Sequence, residues 1–315
     1  MSTTTSTKSQ RINPVSIGMA FLIFAVICLL IGGFFDYQIS KNVAGLDEHK
    51  WDESFGNYFS FIPGTLCSML IAFVGSCLVI SQPHNFKKVS SKLIYLVLAY
   101  LLVGALVWFQ CYDGMIREIF YSFHLNKAYP SNQPTGNFGV LYALAVAICF
   151  MGASCFMIHY KLGQHKKTLF KWCLFAFLVI AIQWLIVTTC KSNLPRERFF
   201  HLKNNEGNFR PWYSLIWNKS NGSGFAYSSF PSGHTNWAIA LILLCPLVYV
   251  ISPKKPWLTI TTTIFVAIIV ITTMFARIQA ARHYLSDTAM SVFISATCST
   301  SIYLLFYKWN KFSVN

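Results

Sequence analysis

Eight stretches of this chain run for 18 to 24 residues without a single Asp, Glu, Lys or Arg. They are Val15–Phe35, Phe59–Gln82, Leu93–Tyr112, Phe138–Tyr160, Trp172–Cys190, Thr235–Ser252, Trp257–Ala276 and Thr288–Tyr307. A helix of about 20 apolar residues crosses the roughly 30 Å hydrocarbon core of a bilayer. One or two such runs would suit buried helices of a large soluble protein, but eight within 315 residues leave no polar surface. The expected fold is therefore all-α, a polytopic membrane bundle of about eight transmembrane helices. Only 11% of the residues are charged, against about 25% in soluble domains, which excludes a disordered chain, a coiled coil and an ordinary cytosolic enzyme.

The formal net charge of +15 would suit a nucleic-acid binder, but its distribution assigns it to topology. With both termini in the cytoplasm, segments 1–14, 83–92, 161–171, 253–256 and 308–315 hold 13 of the 25 basic residues and none of the ten acids. That is the positive-inside pattern, so no nucleic-acid partner is expected and the bilayer is the expected surround.

The organisation follows. Residues 1–14 form a polar cytoplasmic tail, 15–170 carry four transmembrane helices, and 171–315 form a second unit with a long outer loop, 191–234. The first apolar run is too long for the core of a cleaved signal and lacks a small-residue cleavage site, so it reads as a retained helix. The ten cysteines lie in or at the ends of apolar runs with no CxxC spacing, which makes them apolar fillers rather than metal ligands. Only Cys111 and Cys190 fall near one face, where a bridge is conceivable.

Three polar clusters fall on the outer side: Lys191 to Phe199 after the fifth run, Phe230-Pro231-Ser232-Gly233-His234 opening the sixth, and Ala276 to Asp287 between the last two. Lys191, Arg198 and Arg277 are phosphate donors by chemistry. Ser232 and Gly233 precede a helix whose free N–H groups favour an anion. His234 and His283 can divide the duties of nucleophile and general acid. Asp287, one helical turn after His283, can orient that imidazole. Taken singly, each has a bland reading: an interface anchor, a helix start, a structural polar group. Taken jointly, they describe metal-free phosphoryl transfer through a phosphohistidine.

The chain resembles the type 2 phosphatidic acid phosphatase (PAP2) superfamily, whose signature is Lys-x6-Arg-Pro, Pro-Ser-Gly-His and Ser-Arg-x5-His-x3-Asp. Lys191 and Arg198, Pro231 to His234, and Arg277, His283 and Asp287 keep every spacing. Phe199 stands in place of the Pro and Ala276 in place of the Ser. The resemblance implies that His283 attacks phosphorus, that Asp287 orients His283, and that His234 protonates the leaving oxygen and then activates water. It implies that Lys191, Arg198, Arg277, Ser232 and Gly233 hold the phosphate, with no metal or other cofactor. Arg196 and Arg282 remain as positive groups of undetermined role. Trp212, Tyr213, Trp217 and Phe225 either line the mouth of the site or belong to an interfacial aromatic belt.

The expected substrate is a lipid phosphate: phosphatidate, phosphatidylglycerol phosphate, an isoprenyl pyrophosphate or a lipid A phosphate. It would be hydrolysed at the outer face of a membrane, by default a bacterial inner membrane. The alternatives are a phosphotransferase with an alcohol acceptor, a soluble sugar-phosphate substrate, and a transporter or scaffold without activity. In a eukaryotic host the sequons at Asn218 and Asn221 would carry glycans and the site would face a lumen. Oligomeric state is not legible.

Overall fold

The computed structural model describes residues 13–46, 54–81, 89–122, 136–202, 206–214 and 224–308. Residues 1–12 of the tail, Trp217 and the two sequons lie outside them. The described residues contain eight helices long and apolar enough to cross a membrane. Helix α1 is Pro14–Ala44, and α2 is Phe61–Ile80, preceded by a short turn at Phe55–Tyr58. Helix α3 is Val89–Cys111 and continues through a π-helical turn, Tyr112–Ile116, into Arg117–Ser122. Then follow α4 (Gly136–Tyr160), α5 (Lys166–Asn193) and α6. The last of these is Gly233–Ala240, continued by Leu241–Leu243 and Leu244–Ile251. Helices α7 (Pro256–Gln279) and α8 (Leu285–Lys308) complete the set. Among the described residues there is no strand, only an isolated bridge between Arg196 and Ser228.

Each apolar run became a helix, because a backbone in hydrocarbon must satisfy its polar groups internally. The helices also run past the apolar stretches. Asn13 caps α1 by accepting the Val15 N–H at 3.1 Å, Pro14 occupies the first turn, and α1 continues for 31 residues to Gly45, whose φ is +72°. At 1.5 Å per residue that is about 46 Å, longer than the hydrocarbon core. Its last turns therefore carry Asp36 beyond the apolar stretch. Helix α3 likewise continues past Tyr112 and carries Asp113, Arg117 and Glu118. Charges that lie outside the eight runs of the sequence are thus inside the helices.

Helix α1 packs along α8, and α6 is surrounded by α2, α5, α7 and α8. One buried apolar cluster joins α1, α2, α5, α6, α7 and α8 through residues such as Phe21, Phe73, Trp172, Ile239, Val270 and Val292. Helices α3 and α4 pack on the far side of α2 around Ala72, Val107, Ala143 and Ala147. Leu101, Leu102, Ile148, Phe156 and Leu185 are each more than 60% exposed, the pattern of a lipid-facing surface. All ten cysteines are free thiols, Cys111 and Cys190 included.

Candidate active site

The ends of α1, α3, α5 and α7 and the starts of α2, α6 and α8 meet at one end of the bundle. There the structure opens into a cavity of about 410 Å³. Lys191, Arg198, Gly233, His234, Arg277 and His283 line it, joined by Arg282, Phe225, Ser228, Trp237, Asp113, Arg117 and Glu118. Six of the eight residues proposed from sequence therefore border one space. Ser232 and Asp287 are fully buried behind it.

The positive wall is held by backbone. Lys191 Nζ donates to the Ser228 carbonyl at 3.0 Å, and Arg198 Nη2 donates to the same oxygen at 3.2 Å. The Arg198 guanidinium lies 3.9 Å from the centre of the Phe225 ring. The cavity gathers Lys191, Arg198, Arg277 and Arg282 in one space, a set of donors whose chemistry suits a phosphate group. Ser232 is the N-cap of α6, its Oγ accepting from the Thr235 N–H. Gly233 follows at the first helical position and borders the cavity beside Lys191, which places the N-terminus of α6 at its wall, where an anion is favoured.

His283 stands on the turn between α7 and α8. That turn is a Schellman motif: the Arg282 N–H donates to the Arg277 carbonyl at 3.1 Å and the Ala281 N–H to the Ile278 carbonyl at 2.9 Å. The first residue past the C-cap of such a motif usually is glycine in the left-handed region; here it is Ala281, at φ +55°. His283 Nδ1 lies 2.7 Å from the Ser229 carbonyl oxygen. A carbonyl only accepts, so Nδ1 carries the proton and Nε2 is the nitrogen with the lone pair. Asp287 Oδ2 is 3.7 Å from the same Nδ1, an ion-pair distance rather than a hydrogen bond. The tautomer is thus set by Ser229, and Asp287 backs the ring electrostatically. Burial, reinforced by Arg198, Lys191 and Arg277, pushes the His283 imidazole well below its ordinary range despite the pull of Asp287.

Asp287 is held by other partners. Its Oδ2 accepts from Ser229 Oγ and from the Tyr284 N–H at 2.9 Å, and its Oδ1 pairs with Arg196 Nη1 at 2.5 Å. Arg196 Nη2 pairs with Asp36 of α1 at 2.9 Å, and Asp36 also accepts from the Ser286 N–H at 2.9 Å. Arg196 is buried, with its guanidinium 4.3 Å from the Tyr284 ring centre. Of the two cations left without a role, Arg196 therefore belongs to the frame beneath the site, and Arg282 to its wall.

His234 packs against Trp237 with ring centres 4.8 Å apart and planes tilted by 58°. Its Nε2 lies 3.2 Å from Glu118 Oε2, although the N–H is not aimed along a hydrogen-bond line. Among the aromatic residues expected near the mouth, Phe225 borders the cavity. Trp212 instead donates to the Leu29 carbonyl of α1 at 3.0 Å, and Tyr213 lies over Gly33. Phe199, in place of the signature Pro, is buried against Tyr37 and Tyr284. Ala276, in place of the signature Ser, presents its carbonyl to Gly56, where an added Cβ would overlap that oxygen.

Sequence reasoning missed Asp36, Glu118, Asp113 and Ser229. Residues 174–311 match the model of the PAP2 superfamily, a stretch that begins in α5 and takes in all eight site residues named from sequence. No curated protein and no solved structure matches the chain.

Proposed function

We propose that this chain, with its PAP2 superfamily match over residues 174–311, is an integral-membrane phosphatase that cleaves a lipid phosphate through a phosphohistidine on His283. The observation that carries the reading is the Nδ1–H of His283 held by the Ser229 carbonyl at 2.7 Å at the edge of a cationic cavity. This leaves Nε2 unprotonated and nucleophilic. The low basicity of the buried ring keeps it so at neutral pH.

Lys191, Arg198, Arg277 and the amides at Gly233 hold the phosphate oxygens and stabilise the charge spread over them at the transition state. The Nε2 lone pair forms the N–P bond as the P–O bond to the lipid alcohol breaks, and His234 gives its proton to that leaving oxygen. Asp287, 3.7 Å from Nδ1, favours the positive charge the ring then carries. Water next attacks phosphorus while His234 takes its proton, and phosphate leaves with the N–P bond broken.

A lipid substrate is favoured because the cavity opens where the helices end, next to the outward apolar faces of the bundle. The partition of Lys and Arg between loops supports an extracytoplasmic position for the site.

The test is phosphate release by the purified protein in detergent with EDTA. The panel is phosphatidate, phosphatidylglycerol phosphate, isoprenyl pyrophosphate, lipid A and glucose 6-phosphate, with His283→Ala beside the wild type. Release from a lipid that survives EDTA and vanishes in the variant supports the reading, and the best substrate names its class. Release from glucose 6-phosphate alone overturns the lipid assignment, and release unchanged in His283→Ala overturns the nucleophile.

A further inference from the structure

Part of the cavity wall comes from α3, outside the matched stretch 174–311. It carries three charged side chains: Asp113, Arg117 and Glu118. In a regular α-helix, residues 113 and 118 would point about 140° apart. Here the π-helical turn Tyr112–Ile116 intervenes, closed by the Arg117 N–H on the Tyr112 carbonyl, and a residue and its fifth successor share a face. All three charges are thereby brought to one cavity. Within the trio the pairing is ordered. Arg117 Nη1 is 2.6 Å from Asp113 Oδ1, which satisfies that cation on its own helix. Glu118 is left facing His234, with its Oε2 3.2 Å from Nε2 and both side chains only 12% exposed.

We propose that Glu118 is a positioning residue for His234, which makes α3 part of the catalytic apparatus. The inference rests on the reading of His234 as the proton donor to the leaving oxygen. With Nε2 turned to Glu118, Nδ1 is the nitrogen on offer to a bound ester. As the P–O bond breaks, the proton on Nδ1 passes to the leaving oxygen, while the Nε2 proton stays on the ring beside the carboxylate. In hydrolysis the Nδ1 lone pair accepts a proton from the attacking water, and the ring returns to its starting form. The carboxylate supplies orientation and a counter-charge for the doubly protonated ring, the counter-charge being what Asp287 gives His283. A carboxylate facing a phosphate trap would weaken phosphate binding if left alone. Its pairing with His234 removes that conflict.

The experiment compares two esters, an alkyl phosphate (a short-chain phosphatidate) and p-nitrophenyl phosphate. The alkoxide of the first needs a proton as it leaves, and the phenolate of the second does not. Wild type, Glu118→Gln, Glu118→Asp and His283→Ala are assayed on both, with inhibition by orthovanadate, a phosphate mimic, reporting whether the phosphate pocket is intact. The expected result for Glu118→Gln is a fall in kcat of about 100-fold on the alkyl ester and within about 3-fold on the aryl ester, with KM and vanadate inhibition held. Glu118→Asp, which keeps the charge, should recover part of the loss.

Equal losses on both esters, or a vanadate constant that shifts with the loss, would show Glu118 to be structural or phosphate-binding and overturn the inference while leaving the phosphatase reading intact. Wild-type rates in Glu118→Gln would overturn it too. A wild type that releases phosphate from neither ester, or a His283→Ala variant as active as wild type, overturns the phosphatase reading and this inference with it. Should Glu118→Gln fail to give a monodisperse protein, Glu118→Asp alone decides. An alkyl-to-aryl rate ratio unchanged from wild type counts against the inference.

Discussion

Asp36 near the end of α1 is tied to Asp287 in the first turn of α8 through Arg196, whose Nη2 and Nη1 lie 2.9 Å and 2.5 Å from the two carboxylates. All three side chains are buried. Two carboxylates this close repel unless a cation stands between them. The two acids together outweigh the cost of burying Arg196 and hold its guanidinium firmly charged.

Arg196→Ala leaves two buried carboxylates without their cation. Breaking a buried ion network by removing one partner costs about 3–5 kcal/mol. Denaturant unfolding in detergent should show a loss of that size, whereas Arg282→Ala, at the cavity wall, should move the midpoint far less. Equal, small effects would mean that the Arg196 frame contributes little.

His283 should remain neutral under mild acid. The folded value lies well below the ordinary imidazole value of about 6.5. Protonation, which removes the nucleophile, therefore sets in only below that pH. The acid limb of kcat/KM for phosphate release is expected beneath pH 6.5. A half-maximal point at or above 6.5 would mean that the ring titrates as an exposed histidine does. Folding follows the same sign: the unfolded chain takes up the proton first, so His283 disfavours the folded state as pH falls from about 6.5 toward the folded value.

The second helix positions the third by close contact. An added Cβ at Gly64 would overlap the Gly114 carbonyl in the π-helical turn. Gly64→Val must push that turn aside, at a cost of about 1–3 kcal/mol, and with it Glu118. Both a lower unfolding midpoint and a reduced kcat are expected, while Gly152→Val on α4, where an added Cβ meets nothing, should keep activity. Wild-type turnover in Gly64→Val would show that the α2–α3 contact does not aim the site.

Ala281 holds a left-handed conformation, which costs a non-glycine residue about 1–2 kcal/mol, but its buried methyl returns about 0.8 kcal/mol. Ala281→Gly should change stability by no more than about 1 kcal/mol, and Ala281→Val should lose more and lower activity by moving His283. Thermal unfolding of the pair checks it. A Val variant as stable as the Gly variant would contradict the strain argument.

The membrane helices were legible because hydropathy is a local property. The three motifs were legible because their fixed spacings survive whatever lies between them. Asp36 and Glu118 were not named, yet each stands within a few residues of the end of an apolar run. An acid there needs a partner, the same reasoning that singled out Asp287. The partners themselves were hidden. Glu118 reaches His234 only because a π-helical turn resets the helix face, and Ser229 acts on His283 through a carbonyl that every residue possesses. Arg196 announced its charge in the sequence, but only the fold reveals that it faces two carboxylates rather than the cavity.

The central claim is covalent catalysis by His283, and rapid acid-free quenching of the protein with 32P-labelled phosphatidate tests it most directly. The account predicts radioactive protein during turnover, with a bond stable to alkali and labile to acid, and no label in His283→Ala. Steady phosphate release by the wild type with no labelled protein at any quench time, or label that persists in His283→Ala, would contradict it.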